Sequence, residues 1–270
     1  MAPTEEIYSD KAHSDEIYSA KIFFNAVLPL FKEIALSTKL KRSFSGKSGV
    51  IQVSAFADDG KWGTHFVLDN GVMTVQLGTH PSPTVDLEFK SLRSFNAFFK
   101  GTSKKLPKIK GMFNLGLVIP TFRVLLKMAA LLGATDAPAD RQERVLLVRL
   151  YFYLLSSGIS QLNKCGHPEV SAWAKASPDR VYAWSVDNYP ELAAYIRVKA
   201  GKTKASRGQY QRSKPFFTMR FDTPESALGI LLQKDDMLAS AAAKKLIMEG
   251  APEFGAQIGS FMMLVGSYAK

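Results

Sequence analysis

The chain has 270 residues, 46% of them hydrophobic, and a formal net charge of +11 at pH 7. This composition excludes a disordered protein and suffices for one large domain or two ordinary ones. The excess of Lys and Arg predicts attraction to acidic surfaces, which include nucleic acid and anionic lipid. The single cysteine, Cys165, excludes an internal disulfide and favours a reducing compartment.

The N-terminal sequence MAPTEEIYSD lacks the basic and then apolar order of a signal peptide, so we expect a cytoplasmic protein. The most apolar segment covers residues 108–134. Its charge-free part ends at Phe122 and is shorter than the roughly 20 residues of a membrane span, and Arg123 and Lys127 follow. The apolar segment 254–269 is also short and is diluted by Gly and Ser. We therefore expect no transmembrane span.

Two halves of the chain are similar to each other in sequence. Residues 50–78 can be laid over residues 180–208 without a gap, and residues 85–99 over 217–231 after a shift of two. The shared order predicts an internal duplication, with one unit over residues 1–135 and a second over 136–270. The pairs matched in the first segment include Ile51 and Val181, Phe66 and Ile196, Gly71 and Gly201, and Gly78 and Gly208.

In the first unit, an apolar helix is predicted over residues 19–39. The alternating runs VIQVSAF, THFVLD and GVMTVQLG predict antiparallel strands joined by turns, and TVDLEF predicts a fourth strand. Ser91 can cap a short helix that ends near Gly101. A fifth strand near residues 106–112 leads into a final apolar helix. We expect that helix to pack with one face, which contains Leu115, Ile119, Phe122, Leu125 and Leu126.

The second unit repeats this order, with a first helix over residues 140–164 and an added segment, PEVSAWAKA. Pro224 fits the first turn of its short helix. Its third strand differs, because Met73, Val75 and Leu77 are replaced by Thr203, Ala205 and Arg207. Such a strand can bury less apolar area, at roughly 25 cal/mol per Å². We therefore expect the first unit to hold a ligand better and the second to be partly structural.

The order of a helix, antiparallel strands, VDLEFKSLRSFNAFFKG and LPKIKGMFNLGLVIPTFRVLL resembles the sterol carrier protein family, of the non-specific lipid-transfer type. The family's polar extended segment, short helix ending near a Gly, I-x-G strand and final apolar helix match DLEF, SFNAFFKG, KIKG and NLGLVIPTFRVLL. The resemblance covers residues 50–132 well and 181–268 less well. It implies an α+β fold of two units, each a mostly antiparallel twisted sheet covered by helices.

The resemblance also implies an apolar tunnel, between the sheet and the last helices, that holds a fatty acyl chain, a sterol or a similar lipid. Met and aromatic side chains suit such adaptable pockets. Plain core packing uses the same side chains and remains the alternative interpretation. The candidates for the lining are Phe95, Phe98, Phe99, Met112, Phe113, Leu117, Phe122, Leu125, Phe261 and Met262.

Two long segments contain basic residues and no acid. Residues 89–135 contain nine Lys or Arg, and residues 192–221 contain eight. Each Lys or Arg close to an anionic membrane contributes about 1 kcal/mol of attraction, which a lipid carrier that visits membranes can use. Solvated loops are the alternative interpretation. The candidates for the membrane-facing set are Lys104, Lys105, Lys108, Lys110, Lys202, Lys204 and Arg207.

No nucleophile triad, phosphate-binding glycine loop or metal-ligand spacing stands out in the sequence, and Cys165 with His167 is only a lone C-x-H pair. We predict no catalytic residue, metal or cofactor, and a non-enzymatic protein that binds an apolar lipid and transfers it between membranes. One alternative is an accessory domain or enzyme subunit that presents an apolar substrate. Another, which we rank lower, is nucleic-acid binding through residues 197–214. We expect the near-repeat EIYSDK and EIYSAK, at Glu6 and Glu16, to cap the first unit.

Overall fold

The computed structural model describes residues 3–37 and 39–269, with side-chain surroundings from residue 11 onward. The protein is α+β, as the alternation of strand-like and helical patterns predicts, with two five-stranded mixed sheets. It divides into two compact units, Met1–Ala129 with Tyr268–Lys270, and Ala130–Ser267. The boundary expected between residues 135 and 136 falls in the loop after the final helix of the first unit.

The first unit has the strand order β3-β2-β1-β4-β5, in which β1 and β4 are parallel and the other neighbours antiparallel. A π-helical turn, Phe23–Val27, joins its first two helices. The helices are α1 (Pro3–Ile22), α2 (Leu30–Ser37), α3 (Leu92–Phe99) and α4 (Leu115–Leu132), and the strands are β1 (Gly49–Ala57), β2 (Gly60–Asp69), β3 (Val72–Leu77), β4 (Val85–Phe89) and β5 (Lys108–Lys110).

The second unit has the same topology, because its order β8-β7-β6-β9-β10 again places a parallel pair, β6 and β9, in the middle. Its helices are α5 (Arg141–Lys164), α6 (Pro168–Ala176), α7 (Pro224–Leu231), α8 (Met237–Ala242) and α9 (Pro252–Ala269). Its strands are β6 (Arg180–Val186), β7 (Tyr189–Lys199), β8 (Lys202–Arg207), β9 (Phe217–Phe221) and β10 (Leu246–Glu249).

Matching turns also relate the two units. Gly71 and Gly201 both adopt positive φ, +83° and +73°, in the turns that lead into β3 and β8. Glycine is favoured at these points because other residues are strained in the left-handed region. The equal strand order and the equal turns support the duplication that the sequence predicts.

The gapless alignment is out of register on the first strand of each sheet. Ile51 lies beside Val85 on β4, and Tyr182 lies beside Phe217 on β9, so Ile51 corresponds to Tyr182 and not to Val181. Successive residues of a strand point to opposite faces, so a shift of one residue exchanges the core face and the outer face. A register shift between Ser185 and Val186 absorbs the difference, whereas the hairpin turns have equal length, with two residues between Ala57 and Gly60 and two between Val186 and Tyr189.

The start of the first helix differs from the expectation for residues 19–39, since α1 already covers both copies of the EIYS near-repeat. The side chains of the first copy, from Glu6, lie outside the described part of the chain. The short helix α3 forms as expected, because Ser91 accepts a hydrogen bond from the backbone N–H of Ser94 and completes a capping box. In the second unit Thr223 caps α7 in the same way, one residue before Pro224.

The third strand of the second sheet remains partly buried in spite of its polar sequence. Thr203 occupies the position of the buried Met73, and Ser160 and Asn163 of α5 both lie 3.1 Å from its hydroxyl oxygen. The replacement of Leu77 by Arg207 was expected to reduce the buried apolar area, but Leu77 is itself exposed in the first unit. The polar side chains therefore replace one apolar contact with hydrogen bonds.

Helices α4 and α5 have the length and apolar composition of membrane spans. In the most apolar 18-residue segment of each helix, 44% of the residues are buried in α4 and 78% in α5. Core helices of soluble proteins pass the same test, and α5 packs against β7, β8 and α7 as such a helix does.

Candidate functional site

The expected lipid wall in α3 is part of an aromatic cluster beneath the first sheet. Phe95 is fully buried and its ring stacks on Phe24 at a centroid distance of 4.0 Å. Phe99 lies 4.8 Å from Phe95, and Phe89 contacts Phe98 at 5.3 Å. These rings fill the space between the sheet and the helices, where the family resemblance implies a tunnel.

The cluster is held partly by the π-helical turn that precedes α2. This turn bonds the N–H of Leu28 to the carbonyl oxygen of Phe23, five residues back, and the hydroxyl of Thr64 donates a 2.6 Å hydrogen bond to the carbonyl of Phe24. Single π-turns are rare in proteins, and those that occur are frequently found at functional sites. Apolar periodicity does not distinguish such a turn from an α-helix, so the sequence pattern missed it.

Two pockets in the described part of the chain are open and mixed in polarity, each about 240 Å³. One lies at the start of α4, and the other lies between the π-turn and β2. The first is lined by Lys47, Ser48, Thr84, Asn114, Gly116 and Leu117, and the second includes Lys21, Phe24, Lys61 and Trp62. Neither of them is an enclosed apolar tunnel.

Helix α4 is apolar on two opposite faces. Its inner face, which includes the expected Leu117 and Leu125, is buried. Its outer stripe, with Leu115, Ile119 and Leu126, is exposed, although the sequence pattern placed these residues with Leu125 on one packing face. A helix that is apolar nearly all round gives no clear periodic signal, so the pattern could not identify the packed side. Phe122 is half-buried at the edge between the two faces.

The turn between β5 and α4 exposes the two most N-terminal residues of this apolar strip. The side chain of Phe113 is 93% exposed and that of Met112 is 55% exposed, so neither lines a space under the helix. Both follow Gly111, which has φ of +72° and lies so close to the carbonyl oxygen of Thr84 that a Cβ atom would clash. The chain must therefore turn outward here, which explains why these two residues leave the core.

Pro120 lies inside α4 and changes the hydrogen bonding of its first turns. Proline has no N–H to offer to the carbonyl of residue i−4, which is Gly116. The ammonium of Lys47 donates to that carbonyl instead, and the hydroxyl of Thr121 donates to the carbonyl of Leu117. Pro120 lies in the second turn of α4, and the hydrogen bond that it cannot make is replaced by one from a side chain.

All seven lysine and arginine residues expected at a membrane are exposed. Lys104 and Lys105 lie in the loop before β5, and Lys108 lies on β5 itself. The ammonium of Lys110 is 2.6 Å from Glu88 and is therefore used in an ion pair. In the second unit Lys202, Lys204 and Arg207 lie along β8, with the guanidinium of Arg207 over the ring of Tyr153.

The outer face of the first sheet has a buried polar cluster that the sequence patterns did not indicate. Asp86 accepts hydrogen bonds from Gln52, Ser54 and Lys61. Lys61 and Lys110 both lie 2.6 Å from Glu88. Burial raises the pKa of Glu88, but the hydrogen bonds from Lys110 and Lys61 outweigh it and leave the pKa below its ordinary value. The cluster is internally paired and stabilises the sheet.

In the second unit the expected wall residues Phe261 and Met262 are buried on α9. Phe261 lies 5.2 Å from the ring of Trp173, in the core beneath the sheet. Tyr182 and Trp184 also face this core and are each only 1% exposed. The hydroxyl of Tyr182 and the indole N–H of Trp184 have no hydrogen-bond partner among the described residues. Such buried, unsatisfied groups cost about 1–3 kcal/mol each.

Cys165 and His167 lie at the end of α5 and the start of α6, where His167 takes the N-cap position. Within the described part of the chain, no group of three or more His, Cys, Asp or Glu could hold a metal ion. The pair lies in the connection between these two helices.

No protein-family model and no curated protein matches the chain. Among solved structures, the stereoselective inverting sec-alkylsulfatase Pisa1 from Pseudomonas sp. is similar at 11% identity and a TM-score of 0.27. The match covers 56% of this chain and 29% of that one. A similarity of this size carries no argument on fold or function.

Proposed function

We propose that this chain is a non-enzymatic, peripheral membrane protein of the cytoplasm that binds an apolar lipid and transfers it between membranes. The observation that carries the proposal is the exposed apolar strip of the first unit, which consists of Met112, Phe113, Leu115, Ile119 and Leu126. Leu115, Ile119 and Leu126 lie on one face of α4, because their positions fall within roughly 40° of one another around a helix of 3.6 residues per turn. The helical part of the strip, from Leu115 to Leu126, is roughly 16 Å long at 1.5 Å per residue.

Exposed apolar strips of this kind indicate a binding surface, and the basic residues that neighbour this one in the sequence favour an anionic membrane. The surrounding segment, residues 89–135, contains nine Lys or Arg and no acid. Burying the ring of Phe113 in the acyl region contributes about 1.5–3 kcal/mol, and each nearby lysine adds about 1 kcal/mol. Neither contribution alone gives firm binding, but the two together do.

The second unit does not repeat this surface. Residues 246–255, which correspond to β5 and the following turn, contain two acids, Glu249 and Glu253, and no Lys or Arg. Ile258 follows Glu249 of β10 by nine residues, as the exposed Ile119 follows Lys110 of β5, and Ile258 is buried. The duplication therefore retains the fold in both units, whereas the apolar and basic surface belongs to the first unit, which we propose as the side that docks.

The lipid-binding part of the proposal is supported by the family resemblance of residues 50–132, and a lipid would have to displace the rings that fill the space around Phe95. Phe rings and Met side chains adapt to the shapes of apolar ligands. A ligand would enter beneath α4, whose inner face is buried.

The proposal is tested by co-sedimentation with vesicles of phosphatidylcholine that contain phosphatidylserine. We expect the double variant Met112→Ser, Phe113→Ser to bind these vesicles at least tenfold more weakly than the wild type. The matched control is Val72→Ser, Leu77→Ser, which removes two exposed apolar side chains from β3 and should retain binding. Equal binding by both double variants would contradict membrane docking.

A second measurement addresses the lipid itself. Native mass spectrometry of protein purified from cells should show a bound lipid, and a fluorescent fatty acid should displace it. Absence of both signals would contradict lipid binding, whatever the vesicle result.

A further inference from the structure

The hairpin formed by β7 and β8 has a basic outer face. Ile196 and Val198 of β7 are fully buried on the side that packs against α5, so the residues that alternate with them point outward. Strand pairing adds two residues of β8 to the same face. This surface, which we call the basic hairpin face, consists of Arg197, Lys199, Lys202 and Lys204.

The equivalent hairpin of the first unit is not basic. Its strand pairing places Val67, Asp69, Val72 and Thr74 at these four positions. One aspartate gives the four positions a formal charge of −1 in the first unit, whereas four Lys or Arg residues give +4 in the second. The same topology therefore forms without cations at these positions, so the fold does not require them.

The four cations face one another across the two strands. Arg197 lies directly beside Lys204, and Lys199 lies beside Lys202. Like charges in such cross-strand pairs are destabilising. Asp179 offsets part of this cost on β7, because it accepts hydrogen bonds of 2.8 and 2.6 Å from the guanidinium of Arg197 and lies 3.5 Å from the ammonium of Lys199.

The two lysines of β8 are not offset in this way. Lys202 and Lys204 are both exposed, and neither has an acidic partner among the described residues. Lysines on an edge strand can prevent sheets from pairing edge to edge. That role does not account for Arg197 and Lys199 on the interior strand β7, and the edge strand β3 has no lysine. The excess of positive charge therefore indicates an anionic partner.

Two tyrosine rings lie beside this surface. Tyr195 is two residues before Arg197 on β7 and points to the same face, and its ring lies edge to face with that of Tyr210 at a centroid distance of 5.0 Å. Both tyrosines are half-buried, so part of each is open to solvent. Aromatic rings on a sheet face beside cations are typical of surfaces that stack single-stranded bases and contact their phosphates.

The tip of the hairpin favours such a partner over a membrane. Ala200 and Gly201 form the turn, which therefore presents no large apolar side chain for insertion, in contrast to the exposed Phe113 of the first unit. A nucleic-acid backbone needs no insertion, because it binds through its phosphate charges. The tyrosine rings favour a partner that also offers flat bases.

We propose that the basic hairpin face, together with Tyr195 and Tyr210, binds single-stranded nucleic acid without sequence specificity. This activity is separate from the lipid binding proposed above. It belongs to the second unit, whereas membrane docking belongs to the first.

The test uses the full chain and a fluorescent oligothymidylate of about 12 nucleotides, with binding measured by anisotropy. The double variant Lys202→Gln, Lys204→Gln should bind at least tenfold more weakly at low salt. It should also reduce the slope of log affinity against log salt by about 1.4, since each neutralised phosphate contributes about 0.7 for a single strand.

The matched control is Lys39→Gln, Lys41→Gln, in the short 3-10 helix Lys39–Phe44 of the first unit. It removes two exposed lysines with the same spacing and should stay within twofold of the wild type. In thermal unfolding without the oligonucleotide, Lys202→Gln, Lys204→Gln should be at least as stable as the wild type, because two like-charge pairs are removed. Weaker binding then does not reflect a failure to fold.

A second variant tests the stacking of bases. Tyr210→Ala should bind the oligothymidylate at least fivefold more weakly and should bind inorganic polyphosphate, which has no bases, like the wild type. Equal affinity of Tyr210→Ala and the wild type for the oligothymidylate would contradict the role of the tyrosines.

Three results would overturn the inference. The first is no binding of the oligothymidylate to the wild type, and the second is an equal loss in the two double lysine variants, which would make net charge responsible. The third is a loss of binding to anionic vesicles, but not to the oligothymidylate, in Lys202→Gln, Lys204→Gln, which would make the hairpin a membrane contact.

Discussion

The carboxylate of Glu88 lies 2.6 Å from the ammonium of Lys110, and the same two strand positions in the second sheet have the charges exchanged. Glu88 corresponds to Arg220 and Lys110 to Glu249, which lie 3.0 Å apart. Both pairs lie diagonally across two antiparallel strands. The two sheets thus have an ion pair at equivalent strand positions, with opposite polarity.

Glu88 and Arg220 each have a second charged partner, and the charge of that partner is exchanged as well. Lys61 lies 2.6 Å from Glu88, whereas Asp187 lies 2.7 Å from Arg220. One acid between two bases in the first unit becomes one base between two acids in the second. Reversing the charge of one member alone would bring two like charges together.

Reversing one charge in this cluster should therefore destabilise the protein. Lys110→Glu places a carboxylate beside Glu88 and should lower the free energy of unfolding by about 1 kcal/mol. This value is discounted because about half of the Lys110 side chain is exposed to solvent. Urea denaturation provides the measurement.

A matched control for this variant is Lys105→Glu. It makes the same change in net charge in the exposed loop before β5, and it should leave the free energy of unfolding nearly unchanged. An equal loss in both variants would mean that net charge, and not the pair with Glu88, is responsible.

The pKa of Glu88 links the same cluster to pH. Because the folded-state pKa lies below the unfolded value of about 4.3, the stabilisation is present above that pH and is lost as the pH falls through the folded pKa. The urea midpoint should therefore decline from pH 6 to pH 3, and Glu88→Gln should reduce the decline. Parallel declines in the two proteins would contradict this assignment.

The bond between Lys47 and the carbonyl of Gly116 should depend on Pro120. In the wild type, Lys47→Met leaves that carbonyl without its partner and should cost about 1 kcal/mol. In a Pro120→Ala background the restored N–H can bond to Gly116, so the same substitution should cost less. The free energies of unfolding of the four proteins give the coupling energy. Equal costs in both backgrounds would show that the two residues act independently.

Much of this fold can be predicted from local signals. Alternating apolar residues and glycine turns such as Gly71 predict the hairpins, and Ser91 predicts the start of α3. The weak internal similarity predicts two units, which the strand orders support. These features depend on neighbouring residues in the chain, which is why the sequence patterns identify them.

The features that the patterns did not predict depend on contacts between distant segments. The one-residue shift that makes Ile51 correspond to Tyr182 follows from the pairing of β1 with β4 and of β6 with β9. An alignment of single segments contains no information on strand pairing. The exposure of Phe113 follows from the close approach of Gly111 to Thr84. The outer stripe of α4 could have been suspected only from its apolar residues on both faces, and the unsatisfied hydroxyl of Tyr182 requires the packed core.

The most direct measurement of the central claim, membrane docking through the first unit, is quenching of a tryptophan at position 113 by lipids with brominated acyl chains. Phe113→Trp should show a blue-shifted emission and quenching, beyond the signal of the three native tryptophans, when anionic vesicles are added. Val72→Trp, at an exposed position on β3, is the control and should show no quenching beyond that signal. Quenching of Phe113→Trp no greater than that of Val72→Trp would contradict the claim.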